Sequence, residues 1–162
     1  MLINFTVKNY RSFKQERTFC MNAGSIREHK ESVITKGKYG LLPLAVLYGA
    51  NSGGKSNLIK AISAMRSMVR RSVRLNDGDA LPYEPFALDE VSDKQPTSFE
   101  IQFIKGEAVY RYGFEHNRTE IISEWLYEKM LGDREYELVV RSGDPIEVSA
   151  KRFPEGKGKE AL

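Results

Sequence analysis

The stretch YGANSGGKSN, residues 48–57, follows the apolar run Leu44-Ala45-Val46-Leu47 and precedes the strongest helical pattern in the chain. Gly49, Gly54, Lys55 and Ser56 satisfy the pattern G-x-x-x-x-G-K-[ST]. Each position has a physical task. Glycines let a loop fold into a concave nest whose backbone N–H groups point inward at anionic oxygens. A helix starting at Lys55 adds the positive end of its dipole. Lys55 offers a point charge to β- and γ-phosphates, and the Ser56 hydroxyl offers a ligand to magnesium. Residues 49–56 therefore read as a phosphate-binding loop for a nucleoside triphosphate.

The flanks are expected to supply the context such a loop needs. Residues 44–48 are apolar without alternation, which predicts a strand buried on both faces. Beyond the glycines, Leu58, Ala61, Ile62, Met65, Met68, Val69 and Val73 recur at helical spacing over residues 55–73. Lys60, Arg66, Arg70, Arg71 and Arg74 fall on the opposite arc. That row reads as a solvated face whose cations suit a helix C-terminus, with contact to a phosphate backbone as the competing reading.

Outside this unit the period changes to two. Ile3, Phe5 and Val7 predict a strand over residues 1–7, residues 9–13 a turn, and residues 17–21 a returning strand. Residues 22–43 read as loops and 75–97 as a long polar loop. Phe99, Ile101 and Phe103, then Lys105-Gly106, then Tyr110, Tyr112 and Phe114 predict a hairpin. Residues 121–127, 135–140 and 146–150 continue the strands to about residue 150, and residues 154–162 read as a polar, mobile tail. The expected fold is α/β: a buried strand–loop–helix unit joined to an antiparallel β subdomain over about residues 97–150, in two lobes.

Composition bounds the alternatives. The chain has 162 residues, 41% hydrophobic and 29% charged, with net charge +3, which fits one soluble domain and does not by itself argue for nucleic acid. A single cysteine, Cys20, no signal-peptide pattern and no long apolar stretch predict a cytoplasmic protein without a membrane span. His29 and His116 stand apart from each other and from Cys20, and each reads as an ordinary surface or turn histidine.

With Asn51 at its third position, GANSGGKSN resembles the G-x-N-x-x-G-K-S loop of ATP-binding-cassette-type ATPases. That group includes the chromosome-maintenance and recombination-repair heads, RecF, and the overcoming-lysogenisation-defect nucleases. The opening INFTVKNYRSF is similar to the start of the same group. PTSFEIQFIKGEAVYRYGFE with ISEWLY resembles the antiparallel sheet of a bacterial AAA branch found in phage-defence systems. The resemblance implies ATP and magnesium as cofactors. It places Gly49, Asn51, Ser52, Gly53, Gly54, Lys55, Ser56 and Asn57 on the nucleotide, Ser56 on the metal and Arg11 nearby. It also implies a homodimer or a partner ATPase half engaged through the nucleotide face, with DNA or a nuclease or toxin subunit as a further partner.

The chain also departs from that group. It carries no Leu-Ser-Gly-Gly-type signature and no apolar strand ending in Asp-Glu. Asp89 and Glu90, in PFALDE, imitate that ending, but Pro82 and Pro85 interrupt the run, so an acidic loop is expected. Residues 1–153 thus read as the N-terminal part of an ATPase head whose C-terminal half is missing, with ATP hydrolysis belonging to the complete protein. No catalytic residue is identified. The competing readings are a P-loop small-molecule or nucleotide kinase, and a non-catalytic module that binds a partner subunit or DNA. In the last case Tyr110, Tyr112, Phe114, Trp125 and Tyr127 would stack on bases, although strand aromatics at period two are usually core.

Overall fold

A computed structural model describes residues 1–25, 28–51, 53–72, 80–143 and 146–156. The strands are β1 (Leu2–Lys8), β2 (Arg17–Cys20), β3 (Ile34–Lys36), β4 (Tyr39–Leu41), β5 (Thr97–Lys105), β6 (Ala108–His116), β7 (Ile121–Met130), β8 (Tyr136–Ser142) and β9 (Ile146–Val148). One α-helix, α1 (Lys55–Arg71), interrupts them. Seven strands form one antiparallel sheet in the order β2-β1-β5-β6-β7-β8-β9, and β3 pairs with β4 separately.

The period-two reading of the sheet holds closely. Phe99 faces Phe114, Ile101 faces Tyr112 and Phe103 faces Tyr110 across β5 and β6. On the same face, Val7 opposes Phe99 and Phe5 opposes Ile101. The helix covers this face. Ala61, Met65 and Met68 of α1 join Phe5, Val7, Tyr10, Phe99 and Phe114 in one buried cluster. Phe99 is its hub, with ring centroids 5.4 Å from Tyr10, 5.8 Å from Phe114 and 6.4 Å from Phe5. Burying a phenylalanine of this kind contributes about 1.5–3 kcal/mol. Among the described residues, helix and sheet therefore share one core.

A shift in register between Leu2 and Asn4 sends Ile3 to a second cluster with Leu41, Ile104 and Val109. The β3–β4 hairpin supplies Leu41 to it. That hairpin lies within residues expected to be loops, and its strands of three residues each are too short to show a period. The elsewhere polar face carries Arg111, which pairs with Glu100 at 3.0 Å and Glu135 at 2.7 Å. Glu100 also accepts the Trp125 indole N–H at 2.7 Å. The indole lies across Gly113: a Cβ there would come within 2.5 Å of Trp125 and 2.8 Å of the Phe99 carbonyl oxygen.

Other expectations are corrected. Residues 44–48 form no strand. Leu44 is 73% exposed, Val46 69% and Tyr48 89%, because nothing described packs or pairs against this run. Val69, assigned to the apolar arc, is 42% exposed, whereas Val73 and Arg74 lie outside the described residues. His116 is fully buried, not a surface residue. It falls two positions after Phe114 on the core face, stacks on Phe99 and meets the edge of Tyr83. Its Nδ1 lies 2.9 Å from the Asn117 carbonyl oxygen, and its Nε2 has no partner among the described residues. Of the expected mobile tail, Gly156 is buried against Phe153 and Val148, and residues 157–162 lie outside the described set. The aromatic residues of β6 and β7 bond within the sheet: Tyr110 donates to Glu128 and Tyr112 to Glu124, both at 2.7 Å.

Two tests follow from this packing. Gly113→Ala should cost about 2–3 kcal/mol in urea denaturation, since neither the indole nor the β5 backbone can yield freely. Burial holds the His116 imidazole below its ordinary value of 6.5, so the unfolded chain takes up that proton first as pH falls. Stability attributable to His116 is therefore intact above about pH 6.5 and lost progressively below it. Thermal melts between about pH 7.5 and 5 should show this slope, and His116→Leu should flatten it.

Candidate functional site

The glycine-rich segment meets the start of α1 as expected. Gly54 is the helix N-cap and sits in the left-handed region at φ 83°, ψ −2°. Its carbonyl accepts the N–H groups of Asn57 at 2.9 Å and Leu58 at 3.1 Å. Ahead of it, Gly53 N donates to Ala50 O at 3.2 Å. The amides of a helix's first turn have no carbonyl of their own helix to bond. Here the Asn57 and Leu58 amides bond the Gly54 carbonyl, and Ser56 is exposed at the second helical position. Lys55 bends back over the loop and donates to Gly49 O at 2.8 Å and Ala50 O at 2.6 Å. Its ammonium is thus held at the loop, where an anion would sit among these amides. Ser52 lies outside the described residues.

The turn after β1 is built against this loop. Asn9 and Arg11 adopt positive φ of 50° and 49°, and Tyr10 and Phe13 exchange backbone hydrogen bonds at 2.9 and 2.8 Å. That geometry brings the Ser12 hydroxyl to Asn57 Nδ2 at 2.9 Å. Ser12 Oγ also lies 3.2 Å from where a Gly54 Cβ would stand. Ser12 was not singled out in the sequence, although it directly contacts the loop. Arg11 comes to the same place. It lines an open cleft of about 830 Å³ with Ser12, Asn57, Glu84, Phe86 and Asp89. A second cleft of about 510 Å³ opens on the other side of Ser12, between Phe13, Phe19, Gly54 and Leu58.

Asp89 has a structural role. Its Oδ1 accepts Ser92 N at 2.7 Å and Val91 N at 3.1 Å, and its Oδ2 pairs with Lys14 at 2.7 Å. Lys14 first, then these amides, hold the carboxyl well below the usual range. It thus holds the amides that lead into the short 3-10 turn Ser92–Lys94, whose N-cap is Val91, in keeping with an acidic loop. Glu90 is exposed. Lys60, Arg66, Arg70 and Arg71 lie on the solvent side of α1. Among the described residues no group of His, Cys, Asp and Glu could hold a metal ion, so a metal here would rest on Ser56 and on the phosphates it accompanies.

A sequence profile of the family described as "AAA domain, putative AbiEii toxin, Type IV TA system" matches residues 44–155, more than half of the chain. The chain belongs to this AAA family. No curated protein sequence matches it. The family makes the chain a nucleotide-binding, P-loop ATPase-like domain. The exposed run 44–48 opens the matched region, so the segment expected as the buried strand of the strand–loop–helix unit belongs to the AAA match even though it is unpaired. Among the described residues no helix is long and apolar enough to cross a membrane.

Gly54 offers a direct check of the loop's geometry. Gly54→Ala forces a side chain into the left-handed region beside Ser12, and should cost about 1–2 kcal/mol in urea denaturation. Gly24→Ala, where a Cβ meets nothing within 4 Å, should change stability by less than about 0.5 kcal/mol.

Proposed function

We propose that this AAA domain binds ATP with magnesium at residues 49–57 as the N-terminal part of an ATP-binding-cassette-type head. The observation that carries this reading is the Gly54–Lys55 junction: a left-handed glycine cap, a lysine at the first helical position and an exposed serine after it. The loop amides and Lys55 would hold the polyphosphate, Ser56 the magnesium, and Asn51 and Asn57 the loop's edges. Bound magnesium neutralises phosphate charge and orients the terminal phosphoryl group. The clefts on either side of Ser12 have room for a ribose and base.

Residues 44–48 support the reading of an incomplete head. An unpaired apolar run leading into a phosphate loop has the composition of a central strand and exposes it instead. A partner ATPase half, or a second copy meeting this chain through the nucleotide face, would cover it. Hydrolysis needs a group that positions the attacking water, a carboxylate in a head of this type, and Asp89 is committed to Lys14 and to the Val91 and Ser92 amides. Turnover then belongs to the complete head, whose cycle of binding and hydrolysis would drive dimerisation. The family's description as a toxin of a type IV toxin–antitoxin system favours anti-phage defence over the DNA-related roles of similar heads.

In a fluorescent-nucleotide titration with magnesium, Lys55→Ala should weaken ATP binding at least about tenfold, the loss of one charge-assisted phosphate contact. The unaltered chain alone should hydrolyse ATP slowly or not at all. A sustained ATPase rate abolished by the same substitution would contradict the incomplete-head reading.

A further inference from the structure

We propose that Glu84 is a built-in competitor for the polyphosphate, holding Arg11 on itself and thereby setting the affinity of the loop. The proposal rests on the nucleotide reading of residues 49–57. Arg11 is fixed to Glu84 twice: its backbone N–H donates to Glu84 O at 2.9 Å, and its guanidinium Nη2 pairs with the Glu84 carboxylate. The guanidinium still has unused capacity, because its buried Nε has no partner among the described residues. A buried N–H without an acceptor is costly, and an incoming anion would relieve it.

The turn that carries Arg11 also touches the loop. The next residue, Ser12, bonds Asn57 and packs on Gly54, and Arg11 lines the same cleft as Asn57. A planar guanidinium that pairs with a carboxylate pairs equally well with a phosphate, and it cannot serve both in full. Lys14, the neighbouring cation on this side of the loop, is already committed to Asp89. Asp89 is also tied by the Val91 and Ser92 amides, whereas Glu84 is half exposed, so Arg11 is the more exchangeable charge and Glu84 the positioning residue that sets how readily it is given up. Arg11 is 32% exposed and Glu84 50%, so the pair is weak enough for a multiply charged ligand to break.

The test is a double-mutant cycle read by titration with magnesium ATP at low salt. Glu84→Gln keeps the shape and removes the competition, so binding should tighten about three- to fivefold. Arg11→Gln should weaken it by a similar factor. Adding Glu84→Gln to Arg11→Gln should change affinity less than about twofold, and the gain should shrink in about 0.5 M salt. Thermal melts confirm that each variant is folded, and Arg11→Met replaces Arg11→Gln in the cycle if the latter melts below the assay temperature. A Glu84→Gln variant that binds no tighter overturns the proposal. So does a gain that persists without Arg11, which would mark simple removal of negative charge. Lys55→Ala run alongside separates the two claims. Tight, Lys55-dependent binding with an inert Glu84 defeats this proposal alone, whereas binding that is absent or indifferent to Lys55 defeats the phosphate-loop reading with it.

Discussion

The buried carboxamide of Asn9 holds the loop's surroundings together. Its Nδ2 donates to Ser92 O and Gln95 O at 2.8 Å, its Oδ1 accepts Phe86 N at 3.1 Å, and Thr97 donates to its backbone oxygen at 2.7 Å. One side chain at the end of β1 thus fixes residues 86–97 against the turn that carries Arg11 and Ser12. Each carbonyl left without that donor would cost about 1–3 kcal/mol. The positive φ at Asn9 and Arg11 is the strain this arrangement accepts. In return, Ser12 reaches Asn57 and Gly54, and the first turn of α1 is tied to the sheet before any ligand is considered.

The large aromatic core stiffens that tie. Tyr10 belongs both to the turn and to the cluster around Phe99, so the turn cannot shift without disturbing helix–sheet packing. Close-packed interiors transmit such displacements instead of absorbing them. The sheet's far half, with Arg111, Trp125 and Gly113 interlocked, lends rigidity without touching the loop. At the start of α1 meet the Gly54 cap, Lys55 folded back on Gly49 and Ala50, and Ser12 held by Asn57.

Much of this arrangement was legible in the residues. Period two placed Phe99 and Phe114 correctly, since alternation and burial are the same fact in a one-sided sheet. Gly54-Lys55-Ser56 marked the helix start because few residue types can occupy a left-handed cap before a cation. Residues 44–48 misled, because apolar composition reports a preference for burial and burial also needs a partner surface. The histidine at 116 could have been placed by extending the Tyr112–Phe114 alternation by one step. Ser12 and Glu84 left no such signal. Their roles depend on a turn closing against residues more than forty positions away, and no local period records that contact.

In the proposed reading, main-chain amides around the Gly54–Lys55 junction receive a polyphosphate. Amide chemical shifts recorded residue by residue, during titration with magnesium ATP and with adenosine, test this most directly. Large, saturable shifts are expected at residues 49–57 with ATP, absent with adenosine, and little change in β7–β9. Shifts confined to the outer face of α1 or to the sheet, with residues 49–57 unmoved at saturation, would contradict it.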